Sequence, residues 1–255
     1  MGDKTVLITG VGRSHGIGYG IAKQLAQDGW NLVLNYWHPY DQRLGMNPNE
    51  QELIMFQREC EMLGSKVTLV SANLELPETP EQLIDAAVEQ GELRALVLSH
   101  CESVDSDIFS TTLEAWDRTF AVNTRASWLL LKHFAQQTKD QHEHLKKIVA
   151  LTSDHTAFNL PYGASKGALD RLIIAAGIEL GPQGFRSNLI NPGPINTGWM
   201  NPEIEEYLTQ QTPAGRLGIP EDIAHLVSFL LSPEGNWING QLLKSDGGFS
   251  AHSSN

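Results

Sequence analysis

Short, almost purely apolar runs alternate along this chain with longer stretches whose apolar positions recur every three or four residues. The short runs are Thr5–Thr9 (TVLIT), Asn31–Tyr36, Lys66–Ala72, Ala95–Ser99, Lys147–Ser153, Ser187–Asn191 and Gln241–Lys244. Their continuity predicts strands buried on both faces. The longer stretches Gly18–Asp28, Asn49–Gly64, Thr79–Gln90, Leu113–Gln137, Tyr162–Leu180 and Pro220–Leu231 read as helices. Gly29 and Gly64 follow two of them as stop signals, and Pro220 suits a first helical turn. Trp37–Pro48 reads as a loop, and Asn196–Pro213 as a loop with a short helix. Strands alternating with helices imply right-handed crossovers and a parallel sheet covered on both sides. The expectation is an α/β fold: one doubly wound, Rossmann-type domain over residues 1–255, with about seven parallel strands.

Composition adds mainly exclusions. Of 255 residues, 41 % are hydrophobic and 19 % charged, an ordinary globular balance. The net charge is 18 − 30 = −12, with no Lys/Arg-rich run, which argues against nucleic acid as a partner. Cys60 and Cys101 are the only cysteines, so neither a disulfide scaffold nor a cysteine-rich zinc site is expected, and no other metal site is read. The start lacks a basic segment ahead of an apolar stretch, and Val6 stands where a myristoylation signal needs Ser or Thr. No apolar run approaches the roughly 18 residues of a membrane span. These features lead us to expect a soluble cytoplasmic protein with no membrane partner.

Chemistry begins at the turn after the first strand, TGVGRSHGIGYGIA, with Gly10, Gly12, Gly16, Gly18 and Gly20. Glycines between a strand and a helix let main-chain N–H groups approach a pyrophosphate at the helix N-terminus. The spacing is wider than G-x-G-x-x-G, but its place in the fold points to a dinucleotide. An acid that would hold a ribose 2′-hydroxyl is missing at the end of the second strand, where Tyr36 and Trp37 stand. Arg13, His15, His38 and Arg43 lie nearby, which leans toward the 2′-phosphate of NADP, with NAD as the alternative. Arg13 and Arg43 read equally well as solvated loop residues. Asn73 reads as an adenine contact or as a turn residue.

A second signal is Tyr162-Gly-Ala-Ser-Lys166. Four helical residues turn through about 400°, so the two side chains share one face about 6 Å apart along the axis. A phenol near pKa 10 must fall by about three units, roughly 4 kcal/mol, to exchange protons freely near neutrality. An adjacent ammonium and a helix N-terminus both act in that direction. The pair follows the Lys147–Ser153 run, at the sheet end where such folds place ligands.

Taken in order, TGVGRSHGIG, FAVNTRA around Asn123, LTSD, YGASK, NPGPINTG and the closing RLGIPEDIAHLVSFLLSPEGNWINGQLLKSDGGF resemble the short-chain dehydrogenase/reductase family over nearly the whole chain. The likeness is best to its 3-oxoacyl-carrier-protein reductase-like members. Enoyl reductases carry a Tyr seven residues before the Lys, where Asn159 stands here. The resemblance implies hydride transfer between nicotinamide and a small-molecule carbonyl or secondary alcohol. Tyr162 would be the acid–base group, Lys166 would lower its pKa and hold the nicotinamide ribose, Ser153 would bind the carbonyl oxygen, and Asn123 would fix a relay water. Gly10, Arg13, Ser14, His15, Gly16, Ile17, Gly18, Asn73, Leu74 and Ser99 would join Tyr162 and Lys166 in holding the cofactor, NADP by preference. Pro192, Gly193, Ile195 and Thr197 would hold its carboxamide end. The resemblance also implies a homo-oligomer, a tetramer or dimer paired through Leu113–Gln137 and Tyr162–Leu180.

The chain departs from the family pattern in four places. The glycine turn is about two residues longer than usual. Leu98-Ser99-His100-Cys101 replaces Asn-Asn-Ala-Gly, which invites either a catalytic His–Cys reading or a buried polar pair. Ser153 precedes Tyr162 by nine residues, so either Ser153 or Thr152 is expected in the carbonyl-binding role. The usual NAD/NADP selector is absent. A dinucleotide-binding sensor that has lost turnover is therefore the second class considered. Trp199, Met200 and Tyr207 are candidates for an apolar substrate lining.

Overall fold

The computed structural model describes residues 4–138, 144–198 and 200–252, so Trp199 lies outside the described residues. Seven parallel strands form one sheet in the order β3-β2-β1-β4-β5-β6-β7. They are β1 (Lys4–Thr9), β2 (Asn31–Tyr36), β3 (Val67–Ser71), β4 (Glu92–Leu98), β5 (Lys146–Leu151), β6 (Phe185–Asn191) and β7 (Leu242–Lys244). Val6, Leu7 and Ile8 of β1 are fully buried, as a central strand covered on both faces requires.

Helices cover each face. On one side α1 (Ile17–Gln27) packs against α9 (Pro220–Leu231), with α3 (Glu50–Met62) beside it. On the other lie α4 (Thr79–Gln90), α6 (Ala126–Thr138) and α7 (Leu160–Glu179). Gly29 and Gly64 adopt φ +77° and +97° just past their helices, and Pro220 opens α9. The remaining helices are α2 (His38–Arg43), α5 (Leu113–Phe120), α8 (Pro202–Gln211) and α10 (Phe249–His252).

Two expectations need correction. Trp37–Pro48 is not simply a loop, because His38–Arg43 forms α2. This segment has no apolar period; tertiary contacts of Tyr40 and Asp41 hold it. The single helix expected over Leu113–Gln137 is broken into α5 and α6 by a π-turn at Ala121–Arg125. The wider turn points Asn123 inward, where it bonds across to Glu102 in the segment that follows β4. The short helix expected within Asn196–Pro213 is α8, capped by the Asn201 side chain, which accepts from the Ile204 N–H at 2.9 Å.

The chain runs outward from β1 to β2 and β3, then returns to place β4 on the other side of β1. The strand order therefore reverses between β1 and β4, and the crevice beyond their C-terminal ends is where an open α/β sheet takes its ligand. Gly10 and Ser99 stand at that crevice.

Candidate active site

The glycine turn brings two backbones closer than any side chain allows. A Cβ on Gly10, whose φ is +78°, would lie 2.7 Å from the His100 nitrogen. A Cβ on Gly18 would lie 2.7 Å from the Gly10 carbonyl oxygen. Helix α1 begins after Gly16 with no side-chain cap, so its first N–H groups remain for a ligand. These groups border a cavity of about 230 Å³. This uncapped helix start, with Arg13 lining the same cavity, fits a pyrophosphate.

That cavity gathers much of what the sequence singled out. Gly10, Arg13, Gly16, Ile17, Gly18, Ser99, Tyr162, Lys166, Pro192 and Thr197 all line it. Asn73 and Leu74 line an adjoining compartment of about 100 Å³, shared with Gly10, Arg13 and Ser99. Other candidates are placed elsewhere. Ser14 and His15 border a separate depression with Tyr19 and Lys23. The Ile195 side chain is buried in the core, and Gly193 packs on Asp246, whose Cβ a Gly193 Cβ would meet at 2.4 Å.

No acid stands at the end of β2, where Tyr36 is followed by Trp37, but a carboxylate reaches the glycine turn from α2. Helix α2 folds Asp41 back against Gly12, buried, with its Oδ1 3.4 Å from Arg13 Nε. Burial raises the Asp41 pKa, and Arg13 opposes that rise. Arg43 is not a freely solvated loop residue either, since its Nη2 lies 2.5 Å from both Glu102 carboxylate oxygens. Sequence reading missed Tyr40, Asp41 and Glu102 because their segment lacks a period and only tertiary folding brings them to the cleft.

At the chemical end, Tyr162 sits in the first turn of α7 and Lys166 one turn on. Lys166 is 2 % exposed, and its Nζ donates to the Leu151 carbonyl at 2.8 Å. The same nitrogen stands 5.7 Å from the Tyr162 ring centroid. Burial chiefly raises the Tyr162 pKa, with Cys101 and Asp154 adding to it and a hydrogen bond to Ser153 opposing it. Burial also lowers the Lys166 pKa. Desolvation, which penalises both charged forms, is thus the largest influence on each group.

Ser153 reaches Tyr162 despite the short loop between them. The loop closes because residue 163 is Gly: a Cβ there would lie 2.3 Å from the His155 carbonyl oxygen. Thr152 also lines the cavity, but its hydroxyl donates to Asp170. Asn123 is buried; its Nδ2 donates to the Glu102 carbonyl at 2.9 Å and to Ser165 Oγ at 2.8 Å, while its Oδ1 accepts from the Glu102 N–H at 2.7 Å. The Asn123 side chain thus grips the segment after β4 and α7 and does not touch Lys166.

His100 resolves the altered β4 ending. Its Nε2 faces the Val122 carbonyl at 3.1 Å, an acceptor only, so that nitrogen carries the proton. Its Nδ1 accepts from Thr9 Oγ1 at 2.6 Å. Burial pushes its pKa down to about 3. A buried, neutral His100 with both ring nitrogens hydrogen-bonded is a structural tie, which favours the buried polar pair over the catalytic His–Cys reading.

A parallel sheet whose switch point carries a glycine cradle, with a Ser, Tyr and Lys converging beside it, defines a dinucleotide-dependent oxidoreductase architecture. Comparison with known proteins agrees. The family model described as Enoyl-(Acyl carrier protein) reductase matches residues 10–250. An uncharacterized oxidoreductase, YjdA of Bacillus subtilis (strain 168), is 31 % identical, covering 97 % of each chain. An NADPH-dependent aldehyde reductase-like chloroplastic protein of Arabidopsis thaliana is 30 % identical over 98 % of this chain and 95 % of its own. The structure of a blue fluorescent protein from a metagenomic library, in complex with NADPH, superposes with a TM-score of 0.85 at 26 % identity, covering 97 % of this chain and 98 % of that one. The chain belongs to the short-chain dehydrogenase/reductase family and is an NAD(P)-dependent oxidoreductase.

Proposed function

We propose that this protein is an NADP(H)-dependent carbonyl reductase in which Tyr162 delivers the proton. The observation that carries this reading is the meeting of Ser153, Tyr162 and Lys166 with the glycine turn, Tyr162 and Lys166 in the same cavity as Gly10 and Gly18. Gly16, Ile17 and Gly18 would hold the pyrophosphate, Asn73 and Leu74 the adenine side, and Pro192 and Thr197 the nicotinamide end. The bound nicotinamide supplies the hydride. Ser153 Oγ–H donates to the substrate carbonyl oxygen, and Tyr162 Oη–H donates to the same oxygen and transfers its proton as the alcohol forms. The phenol is protonated at neutral pH, which is the form a proton donor to the carbonyl oxygen must have. Lys166, fixed on Leu151, would hold the nicotinamide ribose, and Asn123 holds Ser165 and Glu102 in place.

Asn159, standing where enoyl reductases carry a Tyr, supports a C=O substrate over a C=C one. The purified protein, given NADPH and a panel of aldehydes, ketones and enoyl thioesters, should oxidise NADPH with carbonyls. Tight NADPH binding with no turnover on any of them, indifferent to Tyr162→Phe, would replace this reading with the sensor.

A further inference from the structure

Helix α2 lies across the groove. The Tyr40 hydroxyl comes within hydrogen-bonding reach of the Cys101 thiol. One turn on, the Arg43 guanidinium stacks over the Tyr40 ring at 5.5 Å from its centroid and grips both Glu102 oxygens at 2.5 Å. The two compartments, about 230 and 100 Å³, meet at a neck that Tyr40 and Cys101 line together with Gly10 and Ser99. Each compartment is smaller than the roughly 300–1,000 Å³ usual for small-molecule sites. A dinucleotide must pass through that neck to span both.

The two ends of this contact are not equally free. Glu102 is buried, and Asn123 holds its N–H and its carbonyl at once. Arg43 keeps 39 % of its side chain exposed, on a helix of six residues. Opening therefore falls to α2, which must also break or carry with it the Asp41–Arg13 contact at 3.4 Å.

We infer that α2 is a strap closed over the cofactor groove of the free protein, with the Arg43–Glu102 ion pair as its latch and Tyr40 as its plug. The strap rests on the cofactor reading above for the identity of the occupant. Any ligand that spans both compartments must open the latch first, so its apparent affinity is reduced by the fraction of molecules that are open. That factor is the same with or without a 2′-phosphate, because opening precedes contact with the ligand.

Glu102→Gln keeps the shape and removes the charge of the latch, and Tyr40→Ala removes the plug. Dissociation constants for NADPH and NADH are read from nicotinamide fluorescence. Strap opening is read separately, from the rate at which Cys101 reacts with an aromatic disulfide reagent, since Cys60 is fully buried. Either variant should tighten both dinucleotides by a similar factor, about three- to tenfold, leave their ratio unchanged, and speed the Cys101 reaction several-fold. Tightening of NADPH alone would overturn the strap, because Glu102 would then simply repel a phosphate. Unchanged thiol rates in both variants would overturn it as well. A faster thiol reaction in variants that bind neither dinucleotide would keep the strap and sink the cofactor reading instead.

Discussion

Lys166 Nζ donates to the Leu151 carbonyl at 2.8 Å while standing 5.7 Å from the centroid of the Tyr162 ring. The ammonium is thus moored to the end of β5, between that strand and the phenol we propose as the proton donor. Burial of both groups, more than their mutual charge, sets their protonation. Tyr162→Phe should lower kcat for carbonyl reduction by about 10²- to 10⁴-fold and leave the NADPH dissociation constant within a few-fold of the parent. Because the phenol pKa is raised, reduction should stay flat through neutral pH, while alcohol oxidation, which needs the phenolate, should climb with pH across the alkaline range. Steady-state rates in both directions check this; an oxidation rate already level at pH 7 would contradict it.

Lys166→Met separates stability from activity. The ammonium is buried at a desolvation cost, and one hydrogen bond to Leu151 is its direct tie. A well-packed apolar replacement should leave unfolding free energy within about 1 kcal/mol of the parent, or raise it. Turnover should nevertheless collapse. Denaturant titration and kcat measured on the same sample test the pair of outcomes, and a loss beyond about 3 kcal/mol would show that the lysine is chiefly structural.

Two glycines of α7 should respond oppositely to the same change. Gly163→Ala drives a methyl to 2.3 Å from the His155 carbonyl oxygen and must displace the loop that brings Ser153 to Tyr162. It should cost about 1–3 kcal/mol and depress kcat. Gly167→Ala meets nothing within 4 Å and should stabilise the helix by roughly 0.5–1 kcal/mol with kcat unchanged. Equal melting temperatures for the two variants would refute the account of the short loop.

His100 gives the fold an acid-sensitive joint. Its pKa falls from 6.5 to about 3 on folding, through burial first and the nearby Lys166 charge second. Below the unfolded value the unfolded chain binds the extra proton, so this contribution is intact above about pH 6.5 and is lost as pH falls toward 3. The slope approaches about 1.4 kcal/mol per pH unit. His100→Gln should flatten that limb in the difference between parent and variant stabilities, which cancels the carboxylates common to both. Parallel stability curves from pH 7 to pH 4 would show that His100 does not carry the dependence.

Much of the fold was legible because its strands are buried on both faces: continuous apolar runs such as TVLIT leave little choice of state, and the glycines past α1 and α3 mark their ends. The glycine turn and the Tyr162–Lys166 spacing were legible for a similar reason, since local geometry alone places them on one turn and one helical face. The π-turn that aims Asn123 was not, because one extra residue in a helical turn leaves the apolar period on either side unchanged. Nor was α2, whose residues carry no period and are held by distant partners.

The amino-acid sequence by itself determined the alternating α/β order, the glycine-lined start of α1, and the pairing of Tyr162 with Lys166, all of which depend on neighbours within a few residues. Tertiary structure alone decided that Ser153 rather than Thr152 meets Tyr162, that His100 is a neutral tie, that burial outweighs charge in setting the phenol, and that Arg43 crosses the groove to Glu102. These outcomes turn on burial and on contacts between residues as far apart as 59 and 91 positions, and a one-dimensional pattern does not encode either quantity.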